Sequence, residues 1–239
     1  GSMKGREIIG NAIVAFLLRI ACTIHAEELE KVPQRGPLIL LSNHTSNIEG
    51  PIYYIYLNPR KTTALGKQEL WQNPATRFLM DAWDVIPIRR GLMDRRTLQA
   101  CLDALDRGYI LGVAPEGTRS RSGVLHRGRT GATYLATRTR VPILPIVQWG
   151  LQHFSRNVRR LKKTRVYFKV GRPFFVEKPG GGTVTSADRK KMTEEMMYQL
   201  AALLPPTLRG RYGDTTGMTT NYLRFTTLGA VGSNGGSRG

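Results

Sequence analysis

LILLSNHTSNIEG (Leu38 to Gly50) begins with four apolar residues and ends in a polar stretch carrying a histidine and a glutamate. A short, unbroken apolar run reads as a strand covered on both faces, as in a parallel sheet, rather than as one face of a helix. Thr45, Ser46 and Asn47 favour turns and helix caps, so the strand ends near Ser42 and the chain then changes direction. His44 and Glu49 are five residues apart. On a regular helix their side chains would diverge by about 140°. They can meet only if the segment turns between them, and its composition predicts that it does. A carboxylate held to one imidazole nitrogen fixes the tautomer and leaves the other nitrogen free to take a proton, which makes a general base for a hydroxyl nucleophile.

Similar apolar runs recur outward from this point. Strands are predicted at 38–42, 62–66, 85–88, 109–114, 143–148 and 165–170, and helices near 6–21, 50–57, 74–82, 94–107, 129–138 and 187–204. Thr185 or Ser186 is available to cap the last of these. Alternating strands and helices predict an α/β fold, with a mostly parallel central sheet flanked by helices on both faces. Active sites in such folds gather in loops beyond the carboxyl ends of the strands.

The 239 residues carry 36 Lys+Arg against 17 Asp+Glu, a formal charge of +19 and a pI near 10.6. That excess attracts polyanions: nucleic acid, anionic headgroups or phosphorylated small molecules. It is densest in RNVRRLKKTRVYFKVGR, Arg156 to Arg172. Cys101 lies on the stripe Leu98, Cys101, Leu102, Leu105 and reads as core. Neither it nor Cys22 has metal-ligand spacing, so a disulfide scaffold and a metal site are not predicted.

IIGNAIVAFLLRIAC (Ile8 to Cys22) is apolar, interrupted by Asn11 and Arg19, and shorter than the ~20 residues of a bilayer-spanning helix. It predicts a helix lying in a membrane interface, with burial as a packing helix the alternative. The expected organisation is a tag remnant with this membrane-associating helix over 1–24, a catalytic domain over 25–210 and a low-complexity, disordered tail over 211–239.

Three more segments follow candidate strands in order. VIPIRRG delivers Arg89 and Arg90 to a loop. VAPEGTRSRSG (Val113 to Gly123) places Pro115, Glu116, Gly117, Thr118, Arg119 and Ser120 in a turn, with donors suited to an oxyanion or phosphate. VPILPIVQWG is a proline-punctuated strand running into another loop.

Together with Asn43-His44 and Glu49, this ordered set resembles the glycerolipid acyltransferases typified by 1-acylglycerol-3-phosphate acyltransferase. The family pattern is Asn-His, four residues, then Asp; a strand ending in Arg; Phe-Pro-Glu-Gly-Thr-Arg-Ser; and Val-Pro-x-x-Pro. The likeness runs from about Lys31 to Arg172 and includes Gly66 to Leu70 and Arg129-Thr130-Gly131. Glu49 stands where the family has Asp, Ala114 where it has Phe, and Arg89 where an acid is common.

The resemblance implies that His44, oriented by Glu49, deprotonates an acceptor hydroxyl that attacks an acyl thioester directly. It implies that Arg90 and Arg119, with Thr118 and Gly117, hold the acceptor phosphate, with Arg89 and Arg129 adding positive charge. Glu116 would order its own turn and those donors, with contact to the acceptor the alternative. No metal or cofactor is expected; acyl-CoA or acyl-carrier protein is the co-substrate, and a lysophosphatidic-acid-like lipid the acceptor. The expected location is the cytoplasmic face of a membrane, peripheral or monotopic, at an anionic surface and without nucleic-acid partners. The alternatives are acyl transfer to another lipid or glycolipid, a basic nucleic-acid-binding module and an inactive membrane scaffold. The second draws on charge alone, since Tyr167 and Phe168 should face opposite ways along their strand.

Overall fold

A computed structural model of the chain describes residues 5–89 and 93–229. Its elements, in order, are α1 (Gly5–Ala21), β1 (Cys22–His25), β2 (Leu38–Ser42), α2 (Glu49–Tyr56), β3 (Thr62–Lys67), α3 (Pro74–Ala82), β4 (Ile86–Ile88), α4 (Arg95–Asp106), β5 (Ile110–Val113), α5 (Thr130–Thr139), β6 (Ile143–Trp149), α6 (Phe154–Arg159), β7 (Thr164–Val170), β8 (Phe174–Val176), α7 (Ser186–Leu203) and β9 (Leu223–Phe225).

The main path of the sheet runs β1-β7-β6-β2-β5-β3-β4, with β8 pairing β6 and β9 pairing β8. Strands β2 to β6 are mutually parallel where they pair. β7 and β8 run against β6, and β1 lies parallel to β7. The carboxyl ends of β2, β5 and β6 therefore share one edge of the sheet with the amino ends of β1 and β7.

Period-two alternation divides the strand side chains between two cores. Ile39, Leu41, Leu111, Ile143 and Val147 point into a cluster with Cys101, Leu105, Leu135, Met196 and Leu200 from α4, α5 and α7. Leu38, Leu40, Ile110, Leu144 and Ile146 point the opposite way, toward Val14, Leu18, Ile52 and Tyr53 from α1 and α2. Both faces are covered, as the continuous apolar strands predicted. Burial pushes the Cys22 thiol up to about 11 and that of Cys101 up to about 12, so both behave as core and not as nucleophiles.

Caps set several helix starts. Asn73 accepts from the N–H groups of Ala75 and Thr76, Asp94 from that of Thr97, and Thr185 forms a capping box with Asp188.

The expectation of a disordered tail from residue 211 fails for the described part. Tyr212 is fully buried, β9 pairs with β8, and Glu195 accepts hydrogen bonds from Thr219 Oγ1, Asn221 N–H and Tyr222 N–H. The Gly/Ser/Thr composition is real, but a few aromatic and aliphatic anchors suffice to dock the segment. Residues 230–239 lie outside the described residues.

The first helix has two faces. Gly10, Val14 and Leu18 are buried, and Asn11 accepts a 2.8 Å hydrogen bond from Trp83 Nε1, so this polar interruption is a tie to the domain. Ile9, Ile13, Phe16, Leu17 and Ile20 are each more than half exposed. The helix thus packs with one stripe and leaves an apolar stripe uncovered. No helix of the described residues is long and apolar enough to cross a membrane.

Candidate active site

The segment after β2 turns sharply, and α2 begins at Glu49. The turn brings the Glu49 carboxylate back over His44: Nδ1 and Oε2 are 2.8 Å apart. A carboxylate can only accept, so Nδ1 carries the proton and Nε2 is left as the basic nitrogen. His44 is about one-third exposed and Glu49 is buried. The other oxygen, Oε1, is saturated by protein donors: the N–H and hydroxyl of Thr45, the N–H of Ser46 at 2.6 Å and Gln148 Nε2 at 2.8 Å. This cage, at the first turn of a helix, holds the carboxylate in one rotamer.

Gln148, near the end of β6, went unpredicted. Its Nε2 also donates to Thr45 Oγ1 at 2.7 Å, and its backbone is clamped by the Asn43 side chain, which accepts from the Gln148 N–H at 3.0 Å and donates to its carbonyl at 2.9 Å. Asn43 thereby extends the pairing of β2 with β6 by a side chain, and sets His44 level with Gln148. The available signal was a lone polar residue within an apolar strand.

The loop after β5 is pinned to the same place. Glu116 is buried and takes the His44 N–H on one oxygen at 2.8 Å and the His126 N–H on the other at 2.7 Å. Burial raises its pKa, while the two backbone N–H groups pull the other way. Ser120 N–H donates to the His44 carbonyl at 2.7 Å, and Arg129 N–H to the Pro115 carbonyl at 2.8 Å. Gly117 has φ +65°, and a Cβ there would lie 2.9 Å from Arg129 Cδ, so the turn needs glycine both for its backbone and for the arginine laid across it.

Thr118, Arg119 and Arg129 stand exposed around this turn. The Gly117 N–H is engaged by the Ala114 carbonyl at 3.1 Å. Those of Thr118 and Arg119 have no protein acceptor among the described residues. Arg89 is exposed just past β4, three strands from β2, or ~14 Å at backbone level. Arg90 lies outside the described residues.

The aromatic pair in the basic run is already occupied. Phe168 is buried edge-on against Tyr53, and Tyr167 stacks on His25 at 4.6 Å and on Trp149 at 5.6 Å.

A family model described as Acyltransferase matches residues 23–149, just over half of the chain. The chain is 31% identical over 132 residues to the chloroplastic 1-acyl-sn-glycerol-3-phosphate acyltransferase LPAT1 of Arabidopsis thaliana, covering 53% of this chain and 36% of the relative. It is 27% identical over 168 residues to 1-acyl-sn-glycerol-3-phosphate acyltransferase alpha of Mus musculus, covering 66% and 59%. The matches to these curated relatives thus span less than two thirds of the relatives' own length. Among solved structures, the 1-acyl-sn-glycerophosphate acyltransferase PlsC of Thermotoga maritima superposes with a TM-score of 0.59 over 84% of this chain and 78% of that one, at 23% identity, a likeness of fold.

Proposed function

The chain belongs to the acyltransferase family, and from that premise we propose that it transfers an acyl group from an acyl thioester to the free hydroxyl of lysophosphatidic acid or a similar lysophospholipid. The observation that carries the reading is the 2.8 Å contact between His44 Nδ1 and the caged Glu49 carboxylate. Nε2 takes the proton of the acceptor hydroxyl as its oxygen bonds to the thioester carbonyl. The tetrahedral intermediate then collapses, the C–S bond breaks, and the departing thiolate recovers the proton from the imidazolium. Glu49 stabilises that imidazolium. The unengaged N–H groups of Thr118 and Arg119 are the donors best placed for the developing oxyanion. Arg119 and Arg129, with Arg89 across the sheet edge, supply charge for the phosphate of the acceptor, and Arg90 follows Arg89 in the chain.

The uncovered stripe of α1 supports a peripheral position on a membrane, where a lysolipid acceptor resides. Purified protein assayed with acyl-CoA and acyl-carrier-protein donors against lysophospholipid and phosphate-free acceptors tests the reading directly. It predicts turnover of phosphate-bearing acceptors and loss of nearly all of it in His44→Ala with the fold retained. Undiminished turnover in that variant would refute it.

A further inference from the structure

The basic run that drew attention in the sequence forms a defined projection. After α6 the chain makes a tight turn: Leu161 N–H donates to the Val158 carbonyl at 3.0 Å, Lys162 N–H to the Asn157 carbonyl at 2.9 Å, and Asn157 Nδ2 to Thr164 Oγ1 at 3.1 Å. At its tip Leu161 is 98% exposed with φ +53°. A bulky non-glycine residue rarely takes that conformation, and here no burial compensates for it. Arg156, Arg159, Arg160, Lys162, Lys163 and Arg165 around it are all exposed. No Asp or Glu occurs anywhere between Glu116 and Glu177, so no local acid neutralises them.

The tip stands at the edge of the sheet that bears the active site. β7 runs against β6, with Trp149 paired to Tyr167, so Thr164 lies ~10 Å beyond that level in the direction of the catalytic loops. Gly150, two residues after Gln148, touches the start of β7: a Cβ on it would sit 2.0 Å from the Arg165 carbonyl oxygen. On its other side β7 pairs with β1, Cys22 against Thr164. Cys22 directly follows α1, so Ile20, the last residue of the exposed apolar stripe, arrives beside the tip.

We propose that the Leu161 turn is a second membrane-docking element, which seats on an anionic bilayer surface beside the apolar stripe of α1 and presents the His44 edge to the lipid. This rests on the membrane position argued above and adds to it a specific contact. Leu161 enters the interface while the surrounding cations meet headgroup phosphates. An apolar tip within a cationic ring suits a bilayer better than a nucleic acid, which offers the leucine nothing to enter.

Flotation of the full chain with vesicles of phosphatidylcholine, alone or mixed with phosphatidylglycerol, tests the proposal. The variants are Leu161→Asp, Lys162→Ser/Lys163→Ser, Phe16→Glu on α1, and the charge-matched control Lys190→Ser/Lys191→Ser on α7. Each cation near an anionic surface contributes about a fivefold gain in partitioning, so the tip pair should bind about twenty-five-fold more weakly. Leu161→Asp should lose roughly tenfold. The α7 control should stay close to the parent, and circular dichroism of all four should match it. If the parent chain ignores anionic vesicles, the membrane reading itself fails and the proposal with it. If the parent and the α1 variant differ as expected but the tip variants float like the parent, only the docking turn is refuted. Equal losses in the tip pair and the α7 pair would also refute it, since net charge alone would then explain binding.

Discussion

Replacing Glu49 by glutamine separates its role in orienting the base from its role in holding the loop. Oε1 accepts from Thr45, Ser46 and Gln148, so the new amide must turn its oxygen toward those donors. Its NH2 group then faces His44 Nδ1, which has to accept. The ring proton moves to Nε2, and the nitrogen aimed at the substrate becomes a donor. An asparagine in place of the orienting aspartate of a serine protease lowers turnover by about 10⁴ for the same reason, and a loss of about 10³–10⁴ is expected here. The loop should survive. Exchanging charge-assisted for neutral hydrogen bonds costs about 1–3 kcal/mol. Glu49→Ala removes the acceptor from a buried set of donors and should cost about 3–5 kcal/mol. Turnover at saturating donor and acceptor, with thermal melts of both variants, reads the two effects. Glu49→Gln turning over within tenfold of the parent would refute the tautomer argument.

Gln148→Leu removes a donor from the carboxylate cage at similar volume, and should lower kcat about tenfold with KM little changed. Gln148→Glu, which sets a second carboxylate against Glu49, should be far worse; steady-state kinetics of the pair checks both. Asp188 is held below the ordinary carboxylate range by the Thr185 N–H, Lys178 and the Thr185 hydroxyl. Its contribution is therefore present above the unfolded value of about 3.9 and lost as pH falls below it. Melts of Asp188→Asn and the parent should accordingly differ at neutral pH and converge in acid. Tyr212→Ala should cost about 3–5 kcal/mol by denaturant titration, because its ring is fully buried; a change below ~1 kcal/mol would mean the segment after α7 is only loosely docked.

Much of this architecture was legible in the sequence because the central strands are covered on both faces. The runs over 38–41 and 143–147 then have to be apolar throughout, and they stand out. The strands that escaped prediction, Cys22–His25, Phe174–Val176 and Leu223–Phe225, are short and lie off the centre of the sheet. A few residues of mixed character carry no period. Asn11 interrupted an apolar helix for a reason that only the distant Trp83 supplies. Asn43 stood in the motif, but its clamp on Gln148 was hidden because the two lie 105 residues apart in the chain, which no local spacing encodes. The His44–Glu49 turn could be anticipated, whereas the donors saturating the glutamate could not.

Glu116 grips two loops through main-chain amides alone. It is therefore indifferent to which side chains occupy positions 44 and 126, yet it demands an amide hydrogen at each and a fixed chain length leading to both. A proline at 126, or one residue inserted between Glu116 and His126, would unfasten the histidine loop without altering a single reacting group.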